Sequence, residues 1–233
     1  MIVSVAFDTG GASAVRDFIR PATLELPPPI RDIMGWADAE YSRSAAPAYP
    51  CLIDEKHIVA ELYNMTNVPM AVWIDEDGRI VRPAEPAGAS DGFRRMDRAT
   101  FQMPADVAQE GRAARKRYVD AVRDWVAKSK ASGYALSPQQ ARSRIEGPSE
   151  AEALATAYFR LGQYLRQQGH AADAQRYFLE ARRQCPESWH FLRQTLELEE
   201  AGKGSGPEFF GAVDALGERS YYPPVELGAA RKN

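Results

Sequence analysis

The spacing of apolar and polar residues changes character twice along this chain. Residues 2–7 (IVSVAF) are a continuous run of buried-strand type. The run ends at Asp8-Thr9-Gly10-Gly11, a strand-to-helix turn. A helix is predicted over about 13–20, with Val15, Phe18 and Ile19 on one face. Residues 21–48 are rich in proline and predict a surface excursion with one short helical turn near 30–39. YPCLID (49–54) reads as extended and leads into a helix over 55–63, with Ile58, Val59 and Leu62 expected to face inward. The apolar run 70–74, the turn Asp75-Glu76-Asp77-Gly78 and a second run ending at Val81 predict a β-hairpin, Gly78 supplying the positive φ. A loose stretch at 83–104 closes this part.

From 105 to about 129 the period becomes that of a long helix, with Val107, Gly111, Ala114, Tyr118, Val122 and Trp125 at spacings of three or four. After breaks at Ser132-Gly133 and Ser137-Pro138, Pro148, Ser149 and Glu152 form a helix start. Helices are predicted over 149–168, 171–184 and 187–200, and a last one near 207–217 after a Gly/Ser-rich break. Tyr158, Leu161, Gly162, Leu165, Ala174, Phe178, Ala181 and Pro186 stand at the spacing of a tetratricopeptide repeat, small residues where two helices touch and large ones around the contact. An ordinary helical hairpin is the alternative. The expected organisation is therefore an α/β domain over 1–130, a linker over 131–148, a helical tetratricopeptide-like domain over 149–227 and a disordered tail over 228–233.

Composition narrows the function classes. Apolar content of 45% with 26% charge is that of a globular chain, and a net charge of −3 carries no nucleic-acid or anionic-membrane signature. No apolar run approaches the ~20 residues of a membrane span. Cys51 and Cys185 form neither a C-x-x-C pair nor a metal-ligand spacing, which argues against a disulfide scaffold and a zinc site. His57, His170 and His190 read as helix or turn residues among charged neighbours, without H-x-x-x-H or H-x-H spacing, so neither metal nor cofactor is expected. The DEDG segment is explained by the hairpin turn, and Arg112, Arg115, Lys116, Arg117 and Arg123 by a solvated helix face.

The segments VSVAFD (3–8), YPCLIDE (49–55) and VAELYNMTNVPMAVWIDEDGRIV (59–81), with the helix after them, resemble the thioredoxin superfamily and within it the ResA/TlpA-like redoxins. The resemblance covers about residues 2–130, and 59–81 is its most specific part. It implies a thioredoxin-like mixed sheet, a cis Val68–Pro69 bond, and a substrate-side role for Val68 and Pro69. A trans proline at a strand edge is the alternative reading of that step. The function implied is thiol–disulfide oxidoreduction of a protein or small-molecule disulfide, by thiolate attack and a mixed intermediate.

The resemblance also implies a C-x-x-C-type motif at the head of the first long helix, preceded by a central strand, and this sequence begins at the strand after them. Three explanations stand: an N-terminally incomplete chain, with cysteine or selenocysteine as the missing nucleophile; a degenerate domain that only binds; or a different cysteine in the role. Cys51 is the candidate for the third, against the plainer reading of a small buried hydrophobe. Cys185, at a helix end, reads as a structural or exposed thiol. As written, the chain is expected not to catalyse the reaction. Its alternative function is that of a protein-binding module using the Val68–Pro69 groove and the helical repeat. The cytoplasm is the expected compartment, unless a leader belongs to the missing part.

Overall fold

The computed structural model describes residues 1–15, 49–145 and 147–228; positions 16–20 of the helix predicted over about 13–20, the helical turn near 30–39 and the tail at 229–233 lie outside the described residues. Among the described residues two compact units form, one from 1–15, 49–68 and 147–215, the other from 69–145 and 216–228. Both units are discontinuous, and each draws on both sides of the stretch 131–148.

In the first unit, β1 (Ser4–Ala6) and β2 (Cys51–Ile53) pair in parallel with Val5 opposite Leu52. Helix α1 (Gly11–Val15) follows β1, and α2 (Ile58–Leu62) follows β2. Asp54 starts α2, because its buried carboxylate accepts the Ile58, Val59 and Ala60 N–H groups at 2.8, 2.7 and 3.2 Å. The inward face of α2 is not the one expected. Ala60 is buried, whereas Ile58 and Leu62 are 44% and 75% exposed. The helix begins only at Ile58, so the residue entering the core ahead of it is His57, in a left-handed backbone conformation (φ 56°).

The rest of this unit is helical. α5 (Glu150–Gln167), α6 (Ala171–Gln184), α7 (Trp189–Glu199) and α8 (Pro207–Asp214) lie close to the predicted spans. Ser149 and Glu152 form the predicted reciprocal cap: the Ser149 N–H donates to Glu152 Oε2 (2.6 Å) and the Glu152 N–H to Ser149 Oγ (3.2 Å). Ala155, Phe159, Ala174, Phe178, Ala181, Cys185 and Phe191 form the core of this helical array, with Leu165 against it. Gly162 lets α5 and α6 meet, since a Cβ there would stand 2.6 Å from Phe178 Cε1. Leu161, predicted to fill that contact, is exposed.

The second unit is built on a hairpin. β3 (Met70–Ile74) and β4 (Ile80–Pro86) are antiparallel around the predicted turn, where Gly78 has φ 77° and Asp75 Oδ1 accepts the Asp77 and Arg79 N–H groups. β4 runs further than expected, into the stretch read as loose. Its Arg82 is fully buried and forms two bonds to Glu85: Nε to Oε1 and Nη2 to Oε2, each 2.7 Å. Arg82 also donates to the Tyr134 and Glu226 carbonyls (both 3.0 Å), and its guanidinium lies 5.3 Å from the Trp73 ring centre. α3 (Ala105–Lys128) packs Tyr118, Ala121, Val122 and Trp125 around Trp73, whose indole N–H donates to the Tyr118 hydroxyl (2.8 Å).

Two sequence expectations change here. The linker over 131–148 contains a helix, α4 (Pro138–Ser143), with its own Ser137–Gln140 capping box. The single mixed sheet is replaced, among the described residues, by two separate two-stranded sheets, β1–β2 and β3–β4. The central strand that the resemblance calls for has no counterpart among the described strands. The chain is mixed α/β all the same. Among the described residues no helix is long and apolar enough to cross a membrane.

Two substitutions test this packing. Arg82→Ala or Glu85→Ala strands a buried charge and should lower unfolding stability by about 3–5 kcal/mol in urea titrations followed by circular dichroism, while the paired Arg82→Met/Glu85→Leu change costs much less. Gly162→Val forces the Phe178 ring out of place and should cost roughly 1–3 kcal/mol in the same titration.

Candidate functional site

The chemistry-bearing residues that the first unit brings together are not those singled out from the sequence. His57 and His190, separated by 133 positions, lie side by side with ring centres 4.4 Å apart, and His57 Nδ1 is in hydrogen-bond contact with His190 Nε2. Both are buried, among Phe7 and Phe159, and the Phe159 ring meets His57 edge-on at 5.2 Å. His57 Nε2 contacts Thr9 Oγ1 at 2.9 Å, and Gln163 Nε2 donates to the same hydroxyl at 2.9 Å. Gln194 holds the strand end on the other side: its Oε1 accepts the Thr9 N–H (3.0 Å) and its Nε2 donates to the Phe7 carbonyl (3.3 Å).

Donor counting gives the protons a direction. With Thr9 accepting from Gln163, the arrangement leaving fewest groups unpaired has the Thr9 hydroxyl donate to His57 Nε2. His57 then carries its proton on Nδ1 and donates it to His190 Nε2. A hydroxyl, an imidazole and an orienting third group in series is the layout of an activated nucleophile. The acid–base balance is wrong for that role. Burial pushes the His57 imidazole down to about 4, with the Asp54 charge opposing only in part. Burial and then the neighbouring His57 hold His190 well below the ordinary histidine range. A base that rejects protons at neutral pH does not take one from Thr9, so the series acts as a neutral brace.

The pair itself lines a pocket, with Lys56, Glu61, Glu152, Arg160 and Cys185 also in its wall. Arg160 is paired with Glu61. The Cys185 thiol is pushed up to about 12, by burial first and then by the Glu187 carboxylate, whose Oε1 lies 3.5 Å from Sγ, and by Glu152. That thiol stays protonated and is no nucleophile. Among the described residues no group of three or more His, Cys, Asp or Glu side chains is arranged to hold a metal ion.

The residues predicted from the sequence lie elsewhere. Cys51 opens β2, half-buried, and its Sγ makes one long contact, 3.7 Å, to the Tyr49 carbonyl. Val68 is 37% exposed, its N–H held by Asn67 Oδ1 at 2.8 Å, and the Pro69 carbonyl accepts the Ala87 N–H at 3.1 Å. The division between the two units falls between Val68 and Pro69. Neither Cys51 nor Val68 and Pro69 belong to the histidine cluster.

The reading of His190 among charged neighbours is corrected: it sits in Ser-Trp-His-Phe-Leu, and Trp189, Phe191 and Leu192 are all buried. Those apolar flanks were the available signal. The partnership with His57 had none, because no local spacing links residues so far apart. His170, by contrast, is exposed at the start of α6. Comparisons with protein-family models, curated proteins and solved structures gave no match to this chain.

The two thiols should be distinguishable in solution. Titration of the native chain with a disulfide reagent at pH 8 should modify Cys51, with Cys185 reacting only after denaturant is added, as read by peptide mass mapping.

Proposed function

We propose that this chain is a thioredoxin-like protein of the thiol–disulfide oxidoreductase type, carrying the proline side of such a site and not its nucleophile. The observation that carries the reading is the Asn67-Val68-Pro69 step at the mouth of β3. Val68 is presented to solvent, while the buried Asn67 side chain and the Ala87 N–H fix the backbone on either side of it. The order β1–α1–β2–α2–β3–β4–α3 supports it too, with a parallel pair, a hairpin and a long helix in the sequence the resemblance implies.

A non-catalytic binding role is the second reading, and the state of the thiols favours it for the chain as it stands. The Cys185 thiol is pushed up by burial, the Cys51 Sγ meets the Tyr49 carbonyl, which is no base, and no C-x-x-C occurs. Under this reading the helical hairpin α5–α6 is the tetratricopeptide-like part, available to hold a protein partner.

Insulin reduction by dithiothreitol should proceed no faster with the chain than without it. Turnover that disappears in Cys51→Ser would show that this cysteine has taken the catalytic role. The thioredoxin-like assignment has its own test in carbon NMR of proline-labelled protein. Pro69 should show the Cβ–Cγ shift separation of a cis peptide, and a trans signature would overturn the assignment.

A further inference from the structure

We propose that the contact between His57 and His190 is an acid-sensitive latch, holding the strand-end turns of the first unit against helices α5 and α7 and releasing them when the pair takes up protons. The geometry sets the condition. At the contact one ring must bring a proton and the other a lone pair, because Nδ1 of His57 and Nε2 of His190 face each other. One extra proton has a place, on His57 Nε2, where Thr9 can turn to accept it while still accepting from Gln163. A second has none, since two N–H groups would then point at each other between two cations.

Little around the pair could hold that charge. Asp54 is the carboxylate whose charge acts on His57, and it already serves three backbone N–H groups of α2. In the adjoining wall Glu61 is paired with Arg160, Lys56 is itself a cation, and Glu152 is engaged with the Ser149 N–H. Cys185, facing the same pocket, is a neutral thiol. Phe7, Phe159 and Phe191 offer the rings aromatic faces and no acceptor, and Thr66 and Ser188 in the same pocket are neutral and already engaged, the Thr66 carbonyl by the His190 N–H (3.0 Å) and the Ser188 hydroxyl by the Phe191 N–H (3.4 Å).

What the latch joins is specific. His57 belongs to the β2–α2 turn and, through Thr9, to the turn after β1, while His190 belongs to α7 and Gln163 to α5. Release therefore separates the small α/β part of this unit from its helices, giving up the other bonds that cross between them (Gln194 to Thr9 and Phe7, Gln163 to Glu55, Arg160 to Glu61 and the His190 N–H to the Thr66 carbonyl) while leaving either one's internal hydrogen bonds in place. The sign follows from burial. Freed histidines titrate near 6.5 and the closed pair lower, so closure is at full strength above about pH 6.5 and weakens as pH falls towards 4. With two protons taken up on opening, the opening constant should rise by up to about a hundredfold per pH unit within that window.

Hydrogen exchange read by mass spectrometry between pH 7.5 and 4.5, corrected for the intrinsic pH dependence of exchange, tests this on the whole chain. Peptides covering 4–9, 55–62 and 189–196 should lose protection together as pH falls below 6.5, while those of β3, β4 and α3 keep theirs. The double variant His57→Asn/His190→Phe should lose that pH response. Imidazole NMR of the native chain gives an independent reading if the variant does not fold: His57 and His190 should titrate below the ordinary histidine range. Constant protection of all three regions down to pH 4.5, a full pH response in the folded double variant, or ordinary titration of both buried rings would overturn the proposal.

Discussion

Two neutral imidazoles can share a buried contact only if one supplies a proton and the other a lone pair, and the first unit is arranged around that requirement. His57 meets it by entering the core from a left-handed turn, a conformation that costs a non-glycine residue roughly 1 kcal/mol or more. Asp54 makes the turn worthwhile by starting α2 directly after it. Thr9 and Gln163 then complete the outer side of the ring. A hydrogen bond of this kind is worth only about 1 kcal/mol net, yet leaving any one of these groups unpaired costs as much as 3. The penalty for disorder, more than the reward for order, holds the cluster.

The second unit solves the opposite problem. Arg82 cannot shed its proton, so its nitrogens must be met where they stand, and Glu85, Tyr134 and Glu226 meet them. Glu85 also accepts from the Tyr118 hydroxyl (3.2 Å), and burial followed by the Glu85 charge raises that phenol well above its ordinary range. Charge is kept and fully paired here, whereas in the histidine cluster it is excluded. The result is a contrast between the units: one holds a buried ion pair, the other a pair of bases that resist protonation while closed.

Local pattern revealed the helices well. The spans of α3, α5, α6 and α7, the Ser149 cap, the Gly162 contact and the β3–β4 turn all follow from neighbours within a few positions. Failures came where a residue's fate depends on distant chain. Ile58 and Leu62 have helical apolar spacing, but His57 occupies the core position before them, and that depends on His190. α4 was hidden because its six residues, Pro-Gln-Gln-Ala-Arg-Ser, carry no apolar period, although Ser137 and Gln140 did encode its cap. The mixed sheet failed for another reason, since strand pairing is non-local and a resemblance supplies topology only for strands that are there. As for the site, Val68 and Pro69 were legible as a motif, while the histidine pair left no trace in local spacing.

The long separation between His57 and His190 also bears on how the chain comes into being. At ribosomal rates of about 5–20 residues per second, the 133 positions between them take roughly 7–27 s to synthesise. Through that interval the nascent chain holds Phe7, His57 and the β1–β2 pair without the helices that bury them, while the hairpin and α3 of the second unit already have their partners Trp73 and Tyr118. The unit that begins first thus keeps an uncovered aromatic face through that interval, and this face is what a chaperone or a neighbouring nascent chain would meet during synthesis.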